Sequence, residues 1–322
     1  VKPILSKYGI AFILVGMVVL MTILKPDSFP TANNILNILN QSAIVGVMAL
    51  GMTLVIVSKG IDLSVGSVLA LAGIVAASLA QTEAAAIKVF ENLGPQPLII
   101  PLLTALAIGA LSGAISGGFI AYTGIPAFIS TLGMMTIARG VVFLYTQGQP
   151  VSKLSEGILF FGSDILGVIP VPIVVYAIMI IITAIILGYT RFGKSVYAIG
   201  GNINAAEVSG IKVKRNIVLI YVFSGITAAI ASILFTGRVA SIHPGAATGY
   251  ELTVIAATTI GGTSHSGGIG TIWGAVVGTL ILSVLTNGFT LLGIDPYWQQ
   301  IVQGLIIVGA VVLDMRKNAK KA

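Results

Sequence analysis

The sequence contains no cysteine, so neither disulfide bonds nor thiolate metal sites are open to it. It has only two histidines, His243 and His265, too few and not at a metal-ligand spacing, which argues against a histidine metal site. Charge is also scarce. Lysine and arginine number 17, aspartate and glutamate 10, so 8% of the 322 residues are charged, against roughly 25% in an ordinary soluble domain. A water-facing globule cannot cover its surface with so few charges. This excludes a soluble enzyme, a disordered chain and a nucleic-acid binder, despite a net charge of +7. No GxxxxGK[ST] phosphate loop occurs, so nucleotide chemistry would have to come from another chain. What is abundant is apolar residue, at 56%. The composition is that of an all-α polytopic membrane protein. At ~20 residues per span it has room for at most about a dozen helices and no sizeable soluble domain.

Apolar runs fall at residues 8–24, 35–57, 65–80, 98–122, 128–146, 171–188, 217–235, 252–261, 270–285 and 297–313. They predict about ten transmembrane helices. Several are short, the eighth most of all. Short or broken segments are tolerated at membrane depth only where protein or a water-filled cavity satisfies the backbone. The first run follows Lys2 and Lys7 and continues into Lys25, Pro26 and Asp27 without a small-x-small cleavage site, so it reads as a retained helix rather than a signal peptide. The chain opens on Val1 and not Met, which points to a native start further upstream.

Basic residues orient the spans. With the N-terminus inside, the inner side collects Lys2, Lys7, Lys59, five residues of the 191–215 stretch, Arg316, Lys317, Lys320 and Lys321. The outer side collects Lys25, Lys88, Lys153 and Arg238. Twelve against four places both termini in the cytoplasm. For the C-terminal cluster, attraction to anionic lipid is sufficient explanation.

Residues 189–215, YTRFGKSVYAIGGNINAAEVSGIKVKR, form the longest polar segment on that inner side, with five basic residues and one acid. Gly200 and Gly201 break the chain, Asn202 can cap a short helix through Asn204 to Val208, and Gly210 can end it. Two readings stand: an ordinary positive-inside loop, or a rigid knob that docks into a groove of another protein.

Two glycine-rich interruptions, GIDLSVGS from Gly60 and GGTSHSGGIGT from Gly261, join inward to outward spans. Aligning Gly60 with Gly262 also aligns Ser64 with Ser266 and Gly66 with Gly268, a faint internal repeat. Such breaks either line a solute route or simply let helices pack closely. Asp62 can cap the helix starting at Leu63, pair with Lys59 or face the route. Arg139 is the lone base inside a predicted span and needs a partner or a cavity there, structural pairing being the stronger reading. His265 sits in a flexible break and reads as solvated.

Uncharged polar residues collect before and inside the second span (Asn33, Asn34, Asn37, Asn40, Gln41, Ser42, Thr53, Ser58) and near the eighth (Thr258, Thr259, Thr263, Ser264). Amides and hydroxyls with few charges suit a neutral hydrogen-bonding solute such as a sugar. Singly, each is as well explained by interhelical hydrogen bonding, worth roughly 0.6 kcal/mol. Asn40, Gln41, Thr53, Ser58, Asp62, Ser64, Thr259 and Ser264 are the candidate pathway residues.

The run LNILNQSAIVGVMALGMTLVIVSKGIDLSVGSVLALAGIVAAS (residues 36–78) resembles the permease subunit of bacterial ribose-type ATP-binding cassette importers. So do PAFISTLGMMTIARGVVFLYT (126–146), GKSVYAIGGNINAAEVSGIKVKR (193–215) and GYELTVIAATTIGGTSHSGGIGTIWGAVVGTLILSVLTNGF (249–289). The likeness covers nearly the whole chain in order. GIDLSVGS and the AxGGNxxAAxxSGI pattern are its specific signals. His265-Ser266 departs from it, since a larger apolar pair is expected after GGTS.

The resemblance implies one transmembrane permease domain over residues 1–322, with a type II importer-like fold and a cytoplasmic coupling loop at 189–215. It implies a pathway at the interface of two permease copies and a cytoplasmic ATPase with two fused nucleotide-binding domains, which would hold ATP and magnesium. This chain itself would hold no cofactor. An extracytoplasmic binding protein would deliver a monosaccharide, ribose first among them, while inositol, autoinducer-2 and nucleosides use similar permeases. The coupling element would comprise Gly200, Asn202, Ala205, Ala206, Glu207, Gly210 and Ile211. The rival classes are an ion-coupled secondary transporter, for which Asp62 and Arg139 are the chief candidates, and a passive channel needing no partner.

Overall fold

The computed structural model describes residues 2–165 and 167–319; Val1, Leu166 and residues 320–322, including Lys320 and Lys321 of the basic tail, lie outside the described residues. All ten apolar runs are helical. The elements are α1 (Lys2–Leu24), α2 (Ala32–Val57), α3 (Val65–Leu79), α4 (Ile99–Gly118) with a final π turn (Phe119–Thr123), α5 (Ala127–Thr146), α7 (Val171–Tyr189), α10 (Val213–Val239), α11 (Tyr250–Ile260), α12 (Ile272–Leu291) and α13 (Pro296–Ala319). Between α5 and α7 lie β1 (Val151–Ser152), α6 (Glu156–Leu159), β2 (Asp164–Ile165) and β3 (Ile169–Pro170). The polar stretch after α7 folds as α8 (Arg191–Gly201) and α9 (Ile203–Val208), and β4 (Ser241–Ile242) follows α10.

Among the described residues, six helices are long and apolar enough to cross a membrane: α2, α4 with its π turn, α5, α7, α10 and α12. At 1.5 Å per residue, the 15 residues of α3 and the 11 of α11 reach only about 22 and 16 Å, short of a hydrocarbon core of ~30 Å. These two are the broken segments of the bundle.

The second apolar run is a core helix. Every residue of α2 from Ser42 to Val57 is buried, as expected of a helix that is apolar all round and enclosed by others. Helices α7, α10, α11 and α12 surround it. Lipid tails are as apolar as leucine, so helices in a membrane associate by close packing and small residues rather than by escape from water. The glycines serve that end. A Cβ at Gly46 would overlap the Tyr176 ring of α7, and one at Gly51 would overlap Thr227 of α10. Gly109 of α4 and Gly225 of α10 each lie against the other's carbonyl, and Gly278 of α12 lies against the Ala257 carbonyl of α11.

At one end of the bundle the connections knit into a cap. β1 pairs antiparallel with β4, Val151 opposite Ile242 and Ser152 opposite Ser241. Thr82 N–H donates to Lys153 O at 2.8 Å. The opposite end holds both glycine-rich interruptions and α8. Gly268 N–H donates to Val57 O at 2.8 Å, and the Tyr197 hydroxyl of α8 donates to Gly270 O at 2.7 Å. The second interruption thus meets the end of α2, just before the first begins, although some 200 residues separate them in the chain.

The Gly109–Gly225 crossing gives a stability test. Gly109→Ala drives a methyl into backbone and is expected to cost about 1–3 kcal/mol. Gly118→Ala, later on the same helix with nothing within 4 Å, should cost nothing. Thermal unfolding of the two detergent-solubilised variants checks this.

Candidate transport route and docking knob

The segment leaving α2 turns back into the bundle. Lys59 adopts a left-handed conformation (φ 66°), and the Ile61 carbonyl accepts from the Tyr221 hydroxyl at 3.1 Å and the Thr131 hydroxyl at 3.4 Å. Asp62 follows, 2% exposed. Its Oδ1 accepts from Ser64 N–H at 2.9 Å and the Ser64 hydroxyl at 2.6 Å, and its Oδ2 accepts from the Ser224 hydroxyl at 2.7 Å. The helix therefore starts at Val65 rather than Leu63, and Asp62 closes the turn before it. Ser224 lies eleven residues into α10, about 16 Å along its axis. Helix α3 consequently begins deep within the bundle.

The segment leaving β4 does likewise. After residues 243–249, α11 starts with Gly249 at φ 84°. Arg139 of α5 reaches this turn, its Nη1 donating to the Pro244 carbonyl at 2.6 Å and the Ala246 carbonyl at 2.9 Å. Gly66, in the first turn of α3, lies against the Ala247 carbonyl and the Glu251 carboxylate. The N-terminal ends of the two short helices thus meet inside the protein. Helix N-termini carry unpaired N–H groups and partial positive charge, and Asp62 and Glu251 set carboxylates beside them.

Beside the start of α11 opens a cavity of about 500 Å3. Gln41 and Val45 of α2 line it, with Thr248, Gly249, Tyr250, Leu252, Thr253, Thr286 of α12, and Gln300, Gln303 and Gly304 of α13. Its lining is uncharged, with hydroxyls and amides set among apolar groups. Such a wall can orient a neutral polyol by hydrogen bonds without holding a counter-ion.

Of the eight candidate pathway residues, Gln41 lines this cavity. Asn40 does not line it; it is half-buried, its Oδ1 enclosed without a hydrogen-bond donor. Thr53 is fully buried and bonds back to Ala49 O within α2. Asp62 and Ser64 bond to each other. Ser58 lines a second cavity, of about 250 Å3, at the opposite end with Lys59, Gly60 and residues 199–203. Thr259 and Ser264 are buried near the second glycine-rich interruption, where Thr259 Oγ1 lies 2.8 Å from His265 Nε2. His265 is accordingly half-buried and hydrogen-bonded rather than solvated. Glutamines on α13 and threonines at the start of α11 complete the cavity; an amide at 300 and another at 303 were the available sign.

The 189–215 stretch is a built knob. Helix α8 runs through Gly200 and Gly201, and the chain breaks one residue later, at Asn202. Gly200 is needed for another reason: a Cβ there would overlap the Val57 carbonyl at the end of α2. Asn202 caps α9, its Oδ1 accepting from Ala205 N–H at 3.0 Å, and Gly210 ends the unit at φ 82°. Ala206 packs with Ile199 and Val213, with Ile211 against them, fixing α9 to the bundle. Asn202, Ala205, Glu207 and Gly210 face outward. So do two apolar side chains that polarity alone does not flag, Ile203 at 47% and Val208 at 90% exposed.

Comparison with known proteins decides the family. A family model described as the permease component of a branched-chain amino acid transport system matches residues 34–311. The chain belongs to this permease family. The permease is 41% identical over 309 residues to the ribose import permease protein RbsC of Escherichia coli K12, covering 95% of this chain and 92% of the relative. It is 41% identical over 318 residues to the ribose import permease protein RbsC of Bacillus subtilis 168, covering 98% and 95%. It is 38% identical over 322 residues to the galactose/methyl galactoside import permease protein MglC of Salmonella typhimurium LT2, covering 98% and 96%. No solved structure matches the chain. Family membership and the apolar helices make it a multi-pass membrane protein, and its bundle is the all-α one the sequence leads one to expect.

Asp62 serves three donors, so its removal should be felt in stability. Asp62→Ala leaves Ser64 N–H and the buried Ser64 and Ser224 hydroxyls without their acceptor, at about 1–3 kcal/mol for a stranded group. Asp62→Asn keeps an acceptor oxygen and should cost less. Unfolding midpoints of the solubilised variants measure the difference.

Proposed function

We propose that this permease is the membrane subunit of an ATP-binding cassette importer that carries a monosaccharide, ribose first, across the cytoplasmic membrane. The uncharged, amide- and hydroxyl-lined cavity beside the start of α11 carries the reading, because it suits a neutral sugar better than a charged amino acid. The names of the ribose and galactoside relatives support the same solute class. Both termini lie in the cytoplasm, as the basic residues imply. The 189–215 knob then projects into the cytoplasm and docks on an ATPase with two fused nucleotide-binding domains, where ATP and magnesium act. Two permease copies enclose the route, and an extracytoplasmic binding protein delivers the sugar.

On this reading the chain performs no bond chemistry. Closure of the ATPase on ATP displaces α9. The adjoining helix α8 is tied at Gly200 to the end of α2 and to Gly268 of the second glycine-rich interruption. Movement there is passed to α11, which ends at that interruption and begins at the cavity. The ion-coupled alternative relied on Asp62 and Arg139, yet both Asp62 carboxylate oxygens are engaged by serines and Arg139 Nη1 by backbone carbonyls of the protein itself.

Uptake of labelled ribose into proteoliposomes tests the proposal. Uptake should require the ATPase, the binding protein and ATP together. Uptake by the permease alone that collapses with a proton or sodium gradient would replace it with secondary transport.

The exposed Val208 gives a second test. Val208→Asp places a charge on the docking face of α9 and should lower ATPase co-purification at least ten-fold. The thermal stability of the isolated permease should not change, since Val208 packs on nothing in it. Undiminished co-purification would show that α9 is not the docking surface.

A further inference from the structure

Arg139 does not line the cavity, yet it holds the turn that builds one wall of it. From the second half of α5, a single guanidinium nitrogen donates to the carbonyls of Pro244 and Ala246, 105 and 107 residues further along the chain. The next residues in sequence, Thr248, Gly249, Tyr250, Leu252 and Thr253, supply nearly half of the cavity lining. Two further features fix the same turn. Glu251 Oε1 accepts from Gly249 N–H at 3.2 Å, and its Oε2 is enclosed against Gly66 of α3. Ala247 and Gly249 both sit at positive φ, 55° and 84°. A non-glycine residue holds such a conformation only where its surroundings over-determine it. The Glu251 carboxylate also interacts electrostatically with Arg139.

We infer that Arg139, with Glu251, is a positioning residue that sets where the re-entrant helix α11 begins and so shapes the solute route. A guanidinium among membrane helices is costly unless its donors are used. Here Nη1 is used on two backbone carbonyls that α11 cannot satisfy, because they precede it. Removing the donors frees the turn, and the α11 wall moves while the α13 wall stays. This inference rests on the reading of the cavity as the route, and the experiment separates the two.

The chain has no cysteine, so single cysteines report cleanly. Thr253→Cys on the α11 wall and Gln303→Cys on the α13 wall are labelled with a charged thiol reagent in the solubilised permease, with and without Arg139→Gln. Labelling at 253 should rise at least ten-fold and at 303 less than two-fold. In the reconstituted importer, ribose carried per ATP hydrolysed should fall at least five-fold in Arg139→Gln, with the ATPase rate within two-fold. Arg139→Lys, which keeps a cationic donor, should restore most of the ratio. A mere loss of folded protein would lower uptake and hydrolysis together. Unchanged labelling at 253 in folded Arg139→Gln overturns the positioning role. Changed labelling with an unchanged ribose-to-ATP ratio overturns instead the cavity as the route. Should Arg139→Gln fail to fold, Glu251→Gln carries the labelling test: it keeps an acceptor for Gly249 N–H and removes the charge beside Arg139. A rise of at least three-fold at 253 is expected, and none overturns the inference.

Discussion

A chain in lipid must satisfy every backbone N–H and C=O from within, and the whole structure turns on how it does so where helices stop. Two helices stop short inside the bundle. At the start of α3 the exposed backbone is met by Asp62, Tyr221 and Thr131. Before α11 it is met by Arg139. The few charged residues within the bundle are thus spent on backbone that would otherwise lie bare. A chain that is 8% charged has placed three of those charges, Asp62, Arg139 and Glu251, where two short helices meet.

The same constraint explains the glycines. Helices that share no hydrophobic driving force hold together by contact, and contact is closest where there is no side chain. Gly109 with Gly225, and Gly278 against Ala257, bring backbone onto backbone. At Gly200 and Gly268 this closeness joins the polar knob to the interior: α8, the end of α2 and the second interruption share one small surface. On the proposed function, a rigid connection of that kind would transmit displacement of α9 inward rather than absorb it.

Much of the architecture was legible because its causes are local. A run of apolar residues has to be helical in a membrane, and all ten runs are. The Asn202 cap and the Gly210 stop were legible too, since each acts on backbone within a few residues of itself. Gly200 and Gly201 do not break the chain as their adjacency suggests; α8 runs through both, and Gly200 answers to Val57, 143 residues away in the chain. Nor could polarity mark Ile203 and Val208 as the outward face of α9. In a short helix between turns, which apolar residue packs and which is left bare depends on what lies beneath.

The sequence by itself determined that this is a many-helix membrane protein, where its helices run, which family it belongs to and where the short helix α9 is capped and ended. Composition, periodicity and motif are properties of neighbouring residues, and those conclusions need nothing more. Only the tertiary structure decided that α2 is enclosed by protein while other spans face outward, since an apolar side chain is equally at home against lipid or against another helix. It alone decided that Arg139 finds its partners in carbonyls before α11. It alone brought Gln41, Thr253 and Gln303 to one cavity, because that cavity exists only where separate helices fail to close upon one another.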